Sequence, residues 1–232
     1  MSLRSLTHKL LLQTKSSSPP ALSLLVRRSF HSPPKQLDNN GPINKIRYNY
    51  SKECEQLVNE QINHEMNAWY FYVALGTYFS QPTVALPGVA NYFLSQSSEE
   101  RSHAQSLIHY QNGRGGKVQF QQIQAPPDFA DILQQDHITT KGFELAIEAE
   151  RAVYDQIRHI YKVAESHGDF ALTGFLQKLI DEQVESLKEL QELYTKSKRM
   201  MNDYFFDQLL ESTSTGEIRQ KLRGGQKTSS GE

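Results

Sequence analysis

The sequence is short of cysteine, of long apolar runs and of net charge, and each shortage excludes a class of protein. Its one cysteine, Cys54, cannot form a disulfide within the chain, and a cysteine-rich metal site is excluded. No apolar run approaches the roughly 20 residues needed to span a bilayer. The net charge of -1 gives no overall attraction to nucleic acid. We therefore expect a globular protein with no membrane span and no nucleic-acid partner.

Asp and Glu are missing altogether from residues 1–35. This segment contains six basic residues and eight serines, and its leucines form a short amphipathic stretch. Basic, serine-rich and acid-free segments are typical of organelle transit peptides, and the sequence around Phe30 resembles a mitochondrial processing site. We expect a transit peptide over residues 1–35 and a mitochondrial location. A plastid address stays open, as does a cytoplasmic one if the segment is an ordinary basic tail.

Apolar residues at steps of three and four predict four long helices in the rest of the chain. Their predicted ranges are 51–80, 88–112, 139–166 and 170–197. A stretch of about 25 residues between the second and third helices is long enough to cross from one end of a bundle to the other. A short amphipathic segment from Met201 to Leu210 predicts a fifth helix.

These elements predict an all-α four-helix bundle between two irregular ends. We expect an extended arm over residues 36–50, which are rich in Pro, Asn and Gly, and the helical domain over residues 51–211. Residues 212–232 are rich in Ser, Thr, Gly and Lys and predict a disordered tail.

Each long helix carries a polar side chain near the middle of its apolar stripe. These side chains are Glu65, Glu100 with His103, Glu150 and Gln183. Burying an unpaired carboxylate is costly, and four interruptions at one height in a bundle indicate a shared cause. A metal bound between the helices would supply it, because Glu-x-x-His pairs that project into a bundle core hold iron in diiron carboxylate proteins.

The chemistry of this set favours two transition-metal ions. Oxygen donors with one imidazole suit Fe or Mn, whereas structural zinc usually takes Cys and His. Three carboxylates balance the charge of two divalent ions better than that of one. We expect Glu65, Glu100 and His103 to hold one ion firmly. Glu100, Glu150 and Gln183 would hold the other more loosely, because the fourth helix offers no second His.

Tyr72 lies two turns from Glu65 on the same stripe. Its phenol could hydrogen-bond a metal ligand or deliver an electron, and it could equally be an ordinary core tyrosine.

Several motifs resemble those of eukaryotic ferritins over about residues 46–211. The motifs are Gln61-Ile62-Asn63-His64-Glu65, Glu99-Glu100-Arg101-Ser102-His103-Ala104, Asn112-Gly113-Arg114-Gly115-Gly116, Asp181-Glu182-Gln183-Val184 and Tyr204-Phe205-Phe206-Asp207. The resemblance implies a ferritin-like four-helix bundle with one long crossover and a short fifth C-terminal helix. It also implies a hollow 24-subunit cage that stores ferric mineral, built from this chain alone or mixed with other ferritin subunits.

The resemblance further implies oxidation of Fe(II) by oxygen at a diiron ferroxidase centre, with two iron ions bound transiently in each subunit as substrate. The ferroxidase ligands fall on Glu65, Glu100, His103, Glu150 and Gln183, and the nearby tyrosine of the family falls on Tyr72. Since all of these groups are kept, the chain resembles a catalytic, heavy-type subunit.

Three departures from the family pattern concern the path of the iron. Only Glu99 remains of the inner-surface carboxylates that seed mineral. Gly174 and Gln177 occupy the places of the acids lining the threefold channel through which iron enters. Glu182 and Glu185 could form a third iron site, as further acids do in bacterial ferritins.

Three other functions compete with an iron-storing ferroxidase. One is a cage subunit without catalysis of its own, which depends on partner subunits. Another is an oxygenase of the same fold, although such enzymes carry two Glu-x-x-His motifs and this chain carries one. The third is a helical interaction protein, against which the carboxylates in the middle of the core count.

Overall fold

The computed structural model describes residues 46–132 and 137–212, and within those ranges every regular element is a helix. The elements are α1 (Lys52–Phe79), α2 (Pro87–Gly113), α3 (Phe129–Ile132), α4 (Ile138–Ser166) and α5 (Phe170–Met200). Residues 203–212 are also helical and are called α6. The prediction of an all-α bundle with a short C-terminal helix is confirmed, and only α3, a single turn inside the crossover, was not predicted.

The predicted transit peptide, most of the predicted arm and the tail beyond residue 212 lie outside the described residues. None of the described helices is both long enough and apolar enough to cross a membrane.

Side-chain caps set where α1 and α5 begin. Ser51 Oγ accepts the backbone N–H of Cys54 at 3.0 Å, and Asp169 Oδ1 accepts that of Leu172 at 3.0 Å. Both satisfy a donor that the first turn of a helix cannot pair internally. Gly168 turns the chain between α4 and α5 at a φ of 65°, in the left-handed region that favours glycine. The long helices pair along their length, α1 with α2 and α4 with α5, and α1 also packs against α4.

Two hydrophobic clusters fill the bundle. The aromatic cluster includes Tyr72, Phe79, Phe93, Phe143 and Phe206. The aliphatic cluster includes Val58, Ile62, Leu107, Ile157 and Leu172. Along each of the four long helices, the predicted polar site residues lie between members of one cluster and members of the other. The bundle therefore has a polar layer at mid-height, between two apolar halves.

Asparagines on α1 hold the crossover against the bundle. Asn59 Nδ2 donates to the carbonyl of Lys117 at 3.0 Å, and Asn59 Oδ1 accepts the N–H of Gln119 at 2.9 Å. Further along α1, Asn63 donates one hydrogen bond to a crossover carbonyl, and Asn67 accepts one from a crossover N–H. These bonds satisfy backbone groups of a segment that has no regular partner of its own.

The C-terminal helix α6 caps two helices whose own N-cap residues provide no side-chain hydrogen bond. Asp207 Oδ1 accepts the N–H of Val89 in α2 at 2.9 Å, and Asp203 Oδ2 accepts that of Ile138 in α4 at 3.1 Å. A Cβ on Gly88 would lie 2.3 Å from the carbonyl oxygen of Asp207. A glycine at this position is therefore what lets α6 approach the start of α2.

Candidate metal centre

Three of the predicted ligands meet inside the bundle. Glu65 of α1 and Glu100 and His103 of α2 each offer one ligand atom, and these atoms lie within 4.8 Å of one another. Both carboxylates are buried and the imidazole is half-buried. His103 Nδ1 lies 3.4 Å from Glu100 Oε2, because residues three apart share one face of a helix. These three side chains form a group that could hold a metal ion.

One oxygen of this group fits a bound cation. Glu65 Oε1 accepts a hydrogen bond from Gln61 Nε2 at 2.7 Å, whereas the buried Glu65 Oε2 has no hydrogen-bond partner among the described residues. Buried polar atoms are almost always satisfied. A carboxylate oxygen that lacks a donor in the core is a favourable position for a metal ion.

The other two predicted ligands are bonded to each other. Gln183 Nε2 of α5 donates to Glu150 Oε2 of α4 and lies 3.3 Å from the Glu150 carbonyl oxygen. The hydroxyl of Tyr72 donates to Glu150 Oε1. All three side chains are buried. Both oxygens of the Glu150 carboxylate are thus already engaged by protein donors.

Tyr72 lies at the boundary between the polar layer and the aromatic cluster. Its ring stacks on Phe93 with centroids 6.1 Å apart, while its hydroxyl reaches Glu150. The side chain therefore both contacts a predicted ligand and belongs to the core.

Crowding of buried carboxylates raises their pKa values. Burial, and then the charge of Glu150, raises the pKa of Glu100 to about 8. Burial and the charge of Glu100 raise the pKa of Glu65 well above its usual value. Burial also raises the pKa of Glu150, although the hydrogen bonds from Tyr72 and Gln183 act against it. Burial therefore disfavours the charged forms of these carboxyl groups, and a bound cation would favour them.

A cavity of about 830 Å³ lies beside the centre, between α2 and α5. Its lining includes Glu99, Glu100, His103, Glu182, Gln183 and Glu185. Glu182 is 61% exposed, and its Oε2 lies 3.6 Å from His103 Nε2. The cavity therefore brings exposed acids next to the buried ligands.

Gln61 belongs to the centre although it was not among the predicted site residues. It is wholly buried and lies one turn before Glu65 on α1, to which it donates. The spacing of four from a buried carboxylate was the signal in the sequence that could have identified it.

The fold and the centre together define a class of protein. Long helices in a bundle, with a Glu-x-x-His pair and further carboxylates directed into the core, are the mark of ferritin-like carboxylate proteins. The donor set, rich in oxygen with one imidazole, suits first-row transition metals such as iron.

Comparisons with known proteins agree with this class and identify the family. The family model described as a ferritin-like domain matches residues 55–200. Ferritin-4, chloroplastic, of Arabidopsis thaliana is 36% identical over 205 residues, which cover 85% of this chain and 78% of its own. The soma ferritin of Lymnaea stagnalis is 36% identical over 179 residues, which cover 75% of this chain and 99% of its own. The chain therefore belongs to the ferritin family, which is a family of iron-binding proteins that form multimeric cages.

The predicted mitochondrial location is wrong. Plant relatives that are similar over most of this chain are named chloroplastic, among them Ferritin-2, chloroplastic, of Vigna unguiculata, which is 37% identical over 207 residues. The resemblance of the sequence around Phe30 to a mitochondrial processing site misled the prediction, because the composition of residues 1–35 is common to transit peptides of both organelles.

Proposed function

We propose that the protein stores iron by oxidising Fe(II) with oxygen at a diiron ferroxidase centre inside each bundle. The observation that carries the proposal is the buried group of Glu65, Glu100 and His103, whose ligand atoms lie within 4.8 Å of one another, together with the unpaired oxygen Glu65 Oε2. Membership of the ferritin family supports iron as the metal.

Each ion has its own ligand set in this proposal. Glu65, Glu100 and His103 hold the first Fe(II), and Glu100, Glu150 and Gln183 hold the second, so that Glu100 bridges the two. The two ions together give two electrons to one O2, which takes up two protons and leaves as hydrogen peroxide, and both ions leave as Fe(III). A proton that a bound ion displaces from a carboxyl group can be one of those taken up, and the cavity between α2 and α5 connects the centre with the exposed acids Glu182 and Glu185.

Tyr72 has two roles in the proposal. Its hydroxyl orients the Glu150 carboxylate. Its phenol can supply an electron to oxygen at the centre while the phenol proton passes to Glu150 Oε1, and a later Fe(II) returns an electron to the tyrosyl radical. Because the ring is buried and stacked in the aromatic cluster, it is shielded from other reductants and keeps a fixed position relative to Glu150.

The Fe(III) product is stored as mineral within an assembly of subunits. We propose the 24-subunit cage implied by the resemblance, formed by the domain over residues 51–211, either alone or with other ferritin subunits.

The names of the plant relatives support a plastid location, with residues 1–35 as the transit peptide. A fluorescent reporter fused to these residues should enter plastids in plant cells. A reporter that stays in the cytosol would contradict the proposal, and a reporter without the segment serves as the control.

Stopped-flow oxidation of Fe(II) tests the catalytic centre. Protein purified without metal is mixed anaerobically with Fe(II), oxygen is admitted, and oxygen uptake and ferric absorbance are followed. The wild type should show a fast phase that saturates near two irons per subunit. The double variant Glu100→Ala, His103→Ala should lose it, because the shared ligand and the only imidazole of the group are gone.

A matched control and an assembly check make the result decisive. Glu192→Gln removes an exposed carboxylate elsewhere on α5 and should retain the fast phase. All three proteins should elute as the same assembly on size-exclusion chromatography. Slow oxidation that is alike in the wild type and the double variant would mean a storage subunit that depends on a catalytic partner.

A further inference from the structure

Gln61 is a buried amide that the proposed ligand sets leave without a role. It has no exposed surface, and it lies one turn before Glu65 on α1. Its Nε2 donates to Glu65 Oε1 at 2.7 Å. The contact is therefore made inside the core, directly on a proposed iron ligand, and it engages one of that ligand's two oxygens.

In each side chain of this hydrogen-bonded pair, the atom that does not take part in the bond is a buried oxygen without a hydrogen-bond partner. Among the described residues, Gln61 Oε1 and Glu65 Oε2 are the buried side-chain atoms that lack a hydrogen-bond partner. Such atoms are rare in native proteins and require an explanation. Two of them on adjacent, bonded side chains indicate one common cause, which is a group from outside the chain.

The two unpaired oxygens call for different partners. Glu65 Oε2 belongs to a carboxylate and can bind the ion directly. Gln61 Oε1 belongs to a neutral amide whose nitrogen is already committed to Glu65, and a hydrogen-bond donor is its natural partner. A water molecule bound to the same ion would be such a donor, since its protons become more acidic on a cation.

We propose that Gln61 is a positioning residue for the first iron site: it holds Glu65 Oε1 so that Glu65 binds iron through Oε2 alone, and it accepts a hydrogen bond from an iron-bound water at its own Oε1. This inference rests on the proposed function, because it assigns a partner to a ligand of that site. Glu65 would then occupy a single coordination position, which leaves others for water and for oxygen.

A crystal structure of the wild-type assembly soaked anaerobically with Co²⁺, which oxygen does not readily oxidise there, tests the geometry directly. We expect Co²⁺ on Glu65 Oε2, Glu100 and His103, the Gln61 amide nitrogen still on Glu65 Oε1, and a metal-bound water within hydrogen-bond distance of Gln61 Oε1. Glu65 bound through both oxygens, with the amide turned away, would overturn the proposal.

A variant tests the energetic role. Gln61→Met keeps the length of the side chain without its polar atoms. Titration with Co²⁺, followed by its visible absorption bands, should show the first binding step weakened by roughly 10–100-fold, as for other partners of metal ligands, and the bands should shift with the changed coordination. The matched control is Asn63→Leu, which removes an amide on the same helix that bonds the Gln122 carbonyl at 3.2 Å and should leave the titration unchanged.

The outcomes separate this inference from the proposed function. A wild type that binds no Co²⁺ at Glu65, Glu100 and His103 would contradict the metal centre itself. A wild type that binds Co²⁺, beside an assembled Gln61→Met variant with the same affinity and spectrum, would overturn only the role of Gln61. Should the variant fail to assemble, the crystal structure of the wild type still decides.

Discussion

The two halves of the centre differ in how far side-chain donors satisfy their carboxylate oxygens. Around Glu65 and His103, a carboxylate oxygen is buried without a donor. Around Glu150, both oxygens are engaged, one by the Tyr72 hydroxyl and one by the Gln183 amide. The first half can therefore bind a cation at that oxygen without breaking a hydrogen bond. The second half must exchange protein hydrogen bonds for metal bonds.

This difference predicts an order of filling. A hydrogen bond to a charged group contributes about 1.5–3 kcal/mol, so displacing the two bonds at Glu150 costs about 3 kcal/mol or more. Every 1.4 kcal/mol is a factor of ten in affinity. The first ion should therefore bind at the Glu65 half roughly 100-fold more tightly than the second ion binds at the Glu150 half. A weakly held second ion suits a centre that passes iron on as product.

The largest expected effects come from removing one ligand from each half. Glu65→Gln removes the charge and the free oxygen of the first half, and should weaken the first step of an anaerobic Co²⁺ titration by about 100-fold. Gln183→Leu removes a ligand and a donor to Glu150. It should weaken the affinity of only the second step, by about tenfold, because the lost ligand outweighs the lost hydrogen bond. Two resolved steps by isothermal titration calorimetry would establish the difference between the halves.

Two outcomes would contradict the predicted order in which the two halves bind metal. Two steps of equal affinity in the wild type would mean that the hydrogen bonds at Glu150 do not oppose metal binding. A Glu65→Gln variant that loses only the second step would assign the halves in reverse order. Glu192→Gln, which alters an exposed carboxylate on α5, is the control for a general loss of negative charge.

Most of the fold could be predicted because its signals are local. The stripes of apolar residues, the Ser51 and Asp169 caps and the Gly168 turn lie within the segments they control. The predicted helix ranges lie within about three residues of those observed. The single turn α3 was missed, because four residues are too few to show a helical period.

The composition of the site was easier to predict than its bonding. Glu65, Glu100 and His103 were expected together, and the structure brings them together. Both oxygens of Glu150 accept hydrogen bonds, whereas one oxygen of Glu65 accepts none. This difference arises because Glu150 meets side chains of other helices, and residue spacing within one helix cannot predict such contacts. Gln61 was missed for a different reason: its spacing of four from Glu65 on the same helix was a usable signal, but the prediction centred on groups that could bind a metal themselves.

A sharp test of the second half, with a smaller expected effect than Glu65→Gln, comes from Tyr72→Phe. The variant keeps the ring that stacks on Phe93 and removes only the hydroxyl that donates to Glu150 Oε1. Glu150 Oε1 then lacks a donor in the core, which should lower the free energy of unfolding of the metal-free protein by about 1–3 kcal/mol. A bound ion satisfies the same oxygen, so the second Co²⁺ should bind more tightly, by roughly tenfold.

The two roles proposed for Tyr72 separate in this variant. If the hydroxyl only orients Glu150, the fast oxidation phase at saturating Fe(II) should be unchanged while metal binding tightens. Because we propose that the phenol also supplies an electron, we expect that phase to slow despite the tighter binding, a combination that altered binding alone cannot produce. Tyr194→Phe keeps a half-buried ring and removes a hydroxyl that accepts an exposed hydrogen bond from Lys198 at 3.2 Å, and it should change neither quantity. A fast phase equal to that of the wild type would leave Tyr72 as a residue that positions Glu150 and would refute its redox role.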